Sequence, residues 1–222
     1  MQGVDVYQVL RRKGVSLLHH ANTVTTSCSL LRQGGLVSRG HAEAHNLPQT
    51  AQYTDAKDKK YGIWHNIFTD GVDIHKRART RNFYGPVLFT LRAEVLLNLP
   101  ANTHVQVTKK NPANWKDSDT QSDRVFASVE EMQAGYRYGE FGQHIMLRIP
   151  TGILPFGVTP ISIRLDNPHV QLADSTDAYI SAARRLWTAA QERKVGIKWQ
   201  QYPCQRGCKC VSQYASGPLD MF

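Results

Sequence analysis

The sequence predicts a single-domain α+β fold, on three observations. The chain has 222 residues, a length that suits one large domain. Segments with strand character outnumber those with helix character. The two kinds do not alternate regularly, as a doubly wound parallel sheet requires. With 41% hydrophobic and 20% charged residues, the composition allows a sizeable core. The expected organisation is one domain over residues 1–195 and an irregular tail, 196–222, packed on it.

Each element follows from local pattern. After the basic turn Arg11-Arg12-Lys13-Gly14, the short apolar stretch Val15 to His20 reads as a buried strand. Next is a helix capped by Thr25 or Thr26, with Cys28, Leu30 and Leu31 on its apolar face. Gly34-Gly35 stops it, and Leu36 opens a short extended piece. Residues 38–60 are polar and aperiodic and read as a long surface loop with room for a short helix. A loop of that length is often a lid or a binding loop. Ile63 to Ile74 reads as irregular structure or a short strand. Pro86 to Leu91 carries high β-propensity and no charge, which predicts a central strand. The alternation of Thr103 to Thr108 suits a half-buried strand, followed by a polar loop from Lys109 to Asp123 that contains Trp115. Ser128-Val-Glu-Glu131 reads as a capping box and Gly135 as the end of its helix. Ile145 to Ile149 and Pro160 to Leu165 are strands. Asp174 or Ser175 caps the clearest helix, with Tyr179, Ala182, Ala183, Leu186 and Ala190 at helical spacing and Gly196 at its end.

Charge narrows the partner class. Lys and Arg number 27 against 18 Asp and Glu, a net charge of +9. An excess of that size favours a polyanion, because each neutralised phosphate releases condensed counterions. The apolar runs are far shorter than the roughly 20 residues a membrane helix needs. The first ten residues lack the continuous apolar core of a secretory signal, so the expected compartment is the cytoplasm, with no membrane partner. A disulfide framework is not expected for Cys28, Cys204, Cys208 and Cys210 in such a chain. The last three do not match a standard zinc-finger spacing and read as thiols, with no metal expected.

Three segments concentrate the residues suited to chemistry. The first is His19-His20-Ala-Asn22-Thr23 at a strand end, with its helix and Gly34-Gly35-Leu36. The second is the densest basic run, His75-Lys76-Arg77-Ala-Arg79-Thr-Arg81, leading through Tyr84 into a buried strand. The third is Tyr138-Gly-Glu140-Phe-Gly-Gln143-His144, leading into another strand and closed by Pro150 and Ile153-Leu-Pro155. Each also has a plain structural reading. His20 would be a satisfied core histidine, Glu140 a solvated turn carboxylate, the basic run a solvated face, and Tyr61 and Tyr84 core aromatics.

In this order, across roughly residues 15–165, the segments resemble the ADP-ribosyltransferase superfamily and within it the DNA-targeting toxins of the DarT type. The matching residues are His20, Gly34, Gly35, Leu36 and Glu140. The resemblance implies a split β-sheet core with flanking helices and NAD as a substrate. It further implies a role as a toxin or phage-defence effector that modifies a DNA or RNA base, with an antitoxin protein as partner. It assigns Glu140 as the catalytic carboxylate and His20, Asn22, Gly35, Leu36 and Tyr84 to the cofactor. For the arginine that contacts NAD, Arg81 is preferred to Arg77. Breaking the nicotinamide–ribose bond develops positive charge on the ribose, which a carboxylate stabilises. Lys76, Arg77 and Arg79, with Lys109 and Lys110 beside Trp115, are the expected nucleic-acid contacts. The alternatives are a tRNA 2′-phosphotransferase-like enzyme and a noncatalytic nucleic-acid-binding protein. A metal-dependent nuclease built on His19, His20, Asp73 and His75 is weaker, because no carboxylate cluster accompanies them.

Overall fold

The computed structural model describes residues 1–74, 84–157, 161–172 and 174–204. The architecture is α+β, with nine strands and seven α-helices among the described residues. Helix α1 (Gly3–Arg12) was not anticipated, because its valines disfavour a helix. Packing decides the matter: Val6, Val9 and Leu10 share one face and are completely buried. Strand β1 (Leu17–Asn22) follows, then helix α2 (Val24–Gln33). The cap of α2 is Thr23, earlier than expected, and its side chain accepts from the Thr26 amide. Gly34 ends the helix at φ 70°.

The expected long loop contains two helices, α3 (Arg39–Ala44) and α4 (Asp55–Lys60). Both have six residues, too short to show helical periodicity in the sequence. Strand β2 (Gly35–Val37) precedes them and β3 (Ile67–Thr69) follows. Strands β4 (Val87–Arg92) and β5 (His104–Val107) lie where the patterning put them. Helix α5 (Gln121–Arg124) carries a full capping box between Thr120 and Asp123. Helix α6 (Val129–Gly135) has the expected Ser128 cap, but the Glu131 carboxylate accepts from Ala127 N at 2.6 Å, one residue before the cap. Strands β6 (Ile145–Arg148), β7 (Ile153–Pro155) and β8 (Ile161–Asn167) follow. Helix α7 (Ala178–Glu192) begins later than expected, capped by Asp177. The expectation of an irregular tail fails at its start, because residues Ile197–Pro203 form strand β9, parallel to β8.

The strands make a four-stranded sheet in the order β1-β4-β8-β9, a three-stranded sheet β3-β6-β5, and the pair β2-β7. Strand β4 is interior to its sheet, as its apolar run predicted. The two larger sheets meet at one antiparallel pair, His19 and Asp70, whose main chains exchange two hydrogen bonds of 2.8 Å. Helix α7 covers α2 and buries Ala182, Leu186, Ala189 and Ala190. No described helix is long and apolar enough to cross a membrane.

Candidate functional site

Beside the junction of the two sheets lies a cleft with about 1040 Å³ of empty space, its open mouth included. The end of β1 supplies His20 and Asn22, β3 and its end supply Phe68 and Asp70, and α3 and α4 supply Arg39 and Asp58. Tyr84, Asn111 and His144 come from three separate connections.

His20 is held on both ring nitrogens. Nδ1 lies 2.8 Å from the Phe68 carbonyl oxygen, which only accepts, so Nδ1 carries the proton and donates. Nε2, 3.3 Å from Asn22 Nδ2, is then the acceptor. Burial lowers the imidazole pKa, partly offset by the Phe68 carbonyl and Asp70, so the ring is neutral at pH 7. Asn22 Oδ1 in turn accepts from Thr23 N at 3.0 Å, which fixes the amide orientation.

Tyr84 reaches the cleft because the chain before β4 runs against the end of β1. At Gly85, φ is 106° and a Cβ would lie 2.4 Å from the Asn22 carbonyl oxygen, so this close approach requires glycine. Burial is the main cause that pushes the Tyr84 hydroxyl up to about 12, with Asp70 adding to it, so it stays protonated and can donate.

On the opposite wall, Ser38 caps α3 and Arg39 opens it. Arg39 Nη2 pairs with Asp55 Oδ2 at 2.7 Å, Nη1 donates to Thr50 O at 3.1 Å, and the guanidinium lies over the Trp64 ring. Arg39 Nε and Asn66 Oδ1 are buried at the cleft with no hydrogen-bond partner among the described residues. Groups of this kind are costly to leave unpaired and suit a polar ligand. Asp58 is raised to about 6, first by burial and then by the neighbouring Asp55 charge, with Arg39 acting against both.

His144 lines the cleft one residue before β6. Its Nδ1 is 2.6 Å from Asp70 Oδ1, with side-chain exposures of 8% and 14%. The backbone there is held by His144 N donating to Thr108 Oγ1, which itself donates to Gly142 O.

The structure separates the sequence-predicted residues into groups. His20, Asn22 and Tyr84 come together in the cleft. Glu140 does not line it: the residue is exposed on the turn between α6 and β6. Gly35 and Leu36 act behind the wall. A Cβ on Gly35 would lie 2.4 Å from Leu154 O across the β2–β7 pair, and Leu36 is completely buried in the core. Lys109 pairs with Glu131, and Lys110 with Asp119 at 2.7 Å. Trp115, beside those two expected nucleic-acid contacts, is 3% exposed and packs with Ile63, Val125 and Met146. Tyr61 donates to the Trp115 carbonyl oxygen and packs in that same small cluster. Lys76, Arg77, Arg79 and Arg81 lie outside the described residues, as do Cys208 and Cys210, while Cys204 is buried.

Sequence reasoning missed Arg39, Asp58, Asp70 and His144. Arg39 had one usable signal, its place directly after the glycine stop and the short strand. Asp58 and Asp70 are single residues in segments without a motif, and His144 closes the third segment but was given no role there. No known family model matches the sequence, and no curated protein is significantly similar to it.

Proposed function

We propose that the chain is an NAD-dependent ADP-ribosyltransferase that modifies nucleic acid. The observation that carries this reading is the convergence of His20, Asn22 and Tyr84, drawn from two distant segments, in one cleft beside the sheet junction. The cleft suits a dinucleotide. It offers a neutral imidazole and an amide for ribose or carboxamide hydrogen bonds, and the Phe68 and Tyr84 rings for stacking. The half-buried Arg39 guanidinium, paired with Asp55 through Nη2, keeps Nε as a donor for a phosphate oxygen. NAD would bring an ADP-ribosyl group with nicotinamide as its leaving group. The net charge of +9 favours a polyanionic target.

The exposed position of Glu140 favours a second reading, a noncatalytic nucleic-acid-binding protein whose cleft takes a nucleotide. Incubation with labelled NAD and a mixture of DNA, RNA and protein separates the two. The transferase puts label into a nucleic-acid fraction and releases nicotinamide. Stabilisation by NAD or by nucleotides without any labelled product supports the binding protein.

A further inference from the structure

We infer that His144, oriented by Asp70, is the residue that takes the proton from the incoming nucleophile in this cleft; the inference rests on the transferase reading above. Three observations carry it. The pair is close and largely shielded, at 2.6 Å with side-chain exposures of 8% and 14%. Both members line the cleft, whereas Glu140 does not. Each is also fixed from behind. Asp70 exchanges main-chain hydrogen bonds with His19, and the His144 amide is tied through Thr108 to Gly142. The His144 ring stands edge-on to Phe68 and Phe141, at centroid distances of 6.0 and 5.8 Å.

His144 Nδ1 makes no aligned hydrogen bond among the described residues, but the Asp70 carboxylate 2.6 Å away still favours the tautomer with the proton on Nδ1, which leaves Nε2 free to accept one. The surroundings support that polarity. Among the described residues, the titratable groups that face the pair include Asp58 from α4 and, around Asp70, His20, Tyr84 and Tyr136. His20 is neutral, and burial raises both tyrosine hydroxyls, so none of these three groups is a cation that competes with His144 for Asp70. In the step assigned here the bond between nicotinamide and ribose C1′ breaks, and nicotinamide leaves with the bonding electron pair. A nitrogen or oxygen of the nucleic acid forms a bond to C1′, and its proton passes to His144 Nε2. The imidazolium so formed is neutralised by Asp70 and later gives the proton to water. His144 is thus the catalytic residue and Asp70 a positioning residue.

The test uses the full chain, NAD and single-stranded DNA and RNA oligonucleotides. His144→Ala should lower transfer by about 100-fold or more, the low end for a lost general base, while NAD affinity changes by no more than about twofold. Added imidazole should restore part of that rate, which a merely structural loss would not allow. His144→Gln, which keeps the volume, should lose transfer to the same degree. Independently of NAD, ¹⁵N NMR should place the proton of neutral His144 on Nδ1, and Asp70→Asn should abolish that preference and slow transfer without rescue by imidazole. Full transfer by His144→Gln, or a wild-type His144 with its proton on Nε2, overturns the inference and leaves the transferase reading intact. A wild-type protein that neither binds nor consumes NAD overturns both.

Discussion

Asp58 shows at the scale of one residue what the cleft does to stability. The residue is 8% exposed, and burial, with the neighbouring Asp55 charge, raises its pKa from 3.8 to about 6. Between those two values the folded chain holds the proton more tightly than the unfolded chain. The contribution of this group therefore falls as pH rises from about 4 to about 6 and is constant above that. Near neutral pH the ionised carboxylate costs the fold on the order of 1–3 kcal/mol. Asp58→Asn should raise stability at pH 7 by that amount, and the gain should vanish below pH 4. Urea denaturation at the two pH values reads this directly, and an equal gain at both would remove the charge from the explanation. A group that destabilises the fold while lining a cleft is what a stability–activity trade-off leaves behind. None of this was legible in the sequence. Asp58 sits in the run Asp55-Ala-Lys-Asp58-Lys-Lys60, which reads as solvated surface, and only the return of β3 and the Asn111 segment encloses it. His20 was legible because a histidine at the end of an apolar strand is conspicuous. His144 was not, because its partner lies 74 residues away in the chain.

At the scale of elements, the adjacent glycines that read as a single helix stop have two separate duties. Gly34 adopts φ 70° with nothing near its α-carbon hydrogens, so Gly34→Ala meets only backbone strain, about 1–2 kcal/mol. Gly35 faces Leu154 O at a distance no Cβ tolerates, so Gly35→Ala must push β2 away from β7. It should cost about 3 kcal/mol or more, the upper range for overpacking. It should also weaken NAD-induced stabilisation, since Val37 of the same strand lines the cleft, whereas Gly34→Ala should leave that shift unchanged. Thermal melts of both variants with and without NAD measure the contrast. Elements with a strong own pattern, β4 and α7 above all, were legible in the sequence. Those held by their neighbours were not. Helix α1 is an apolar wedge whose valines favour a strand, and β9 is an edge strand exposed or half-exposed along its length, with little apolar alternation to signal it.

For the whole molecule, the placement of charge matters more than its sum. Lys109 and Lys110 are each matched by a carboxylate, as are Arg32, Arg39, Lys59 and Lys60. Charges already neutralised within the fold release few counterions on binding, so Lys109→Ala with Lys110→Ala should leave the salt dependence of nucleic-acid binding nearly unchanged. Reversing Lys76 and Arg79 to Glu should instead flatten the log–log slope by about one to two units, at about 0.7 per single-strand phosphate. Equal effects from the two double variants would return the Lys109–Lys110 loop to the interface. The α+β class was legible from the count and order of strands, but the seam between the sheets was not, since no local pattern encodes where one sheet stops. That seam has a consequence for His20. The hydrogen bonds that cross it among the described residues include the His19–Asp70 exchange and the bond from His20 Nδ1 to Phe68 O. His20 therefore rivets two plates together with one nitrogen while the other faces the ligand's side through Asn22. Removing the imidazole loosens the frame on which the cleft is drawn as well as emptying one place in it. A loss of affinity at this position measures mechanical slack and lost contact together, and a ligand that spans both plates acts as a splint.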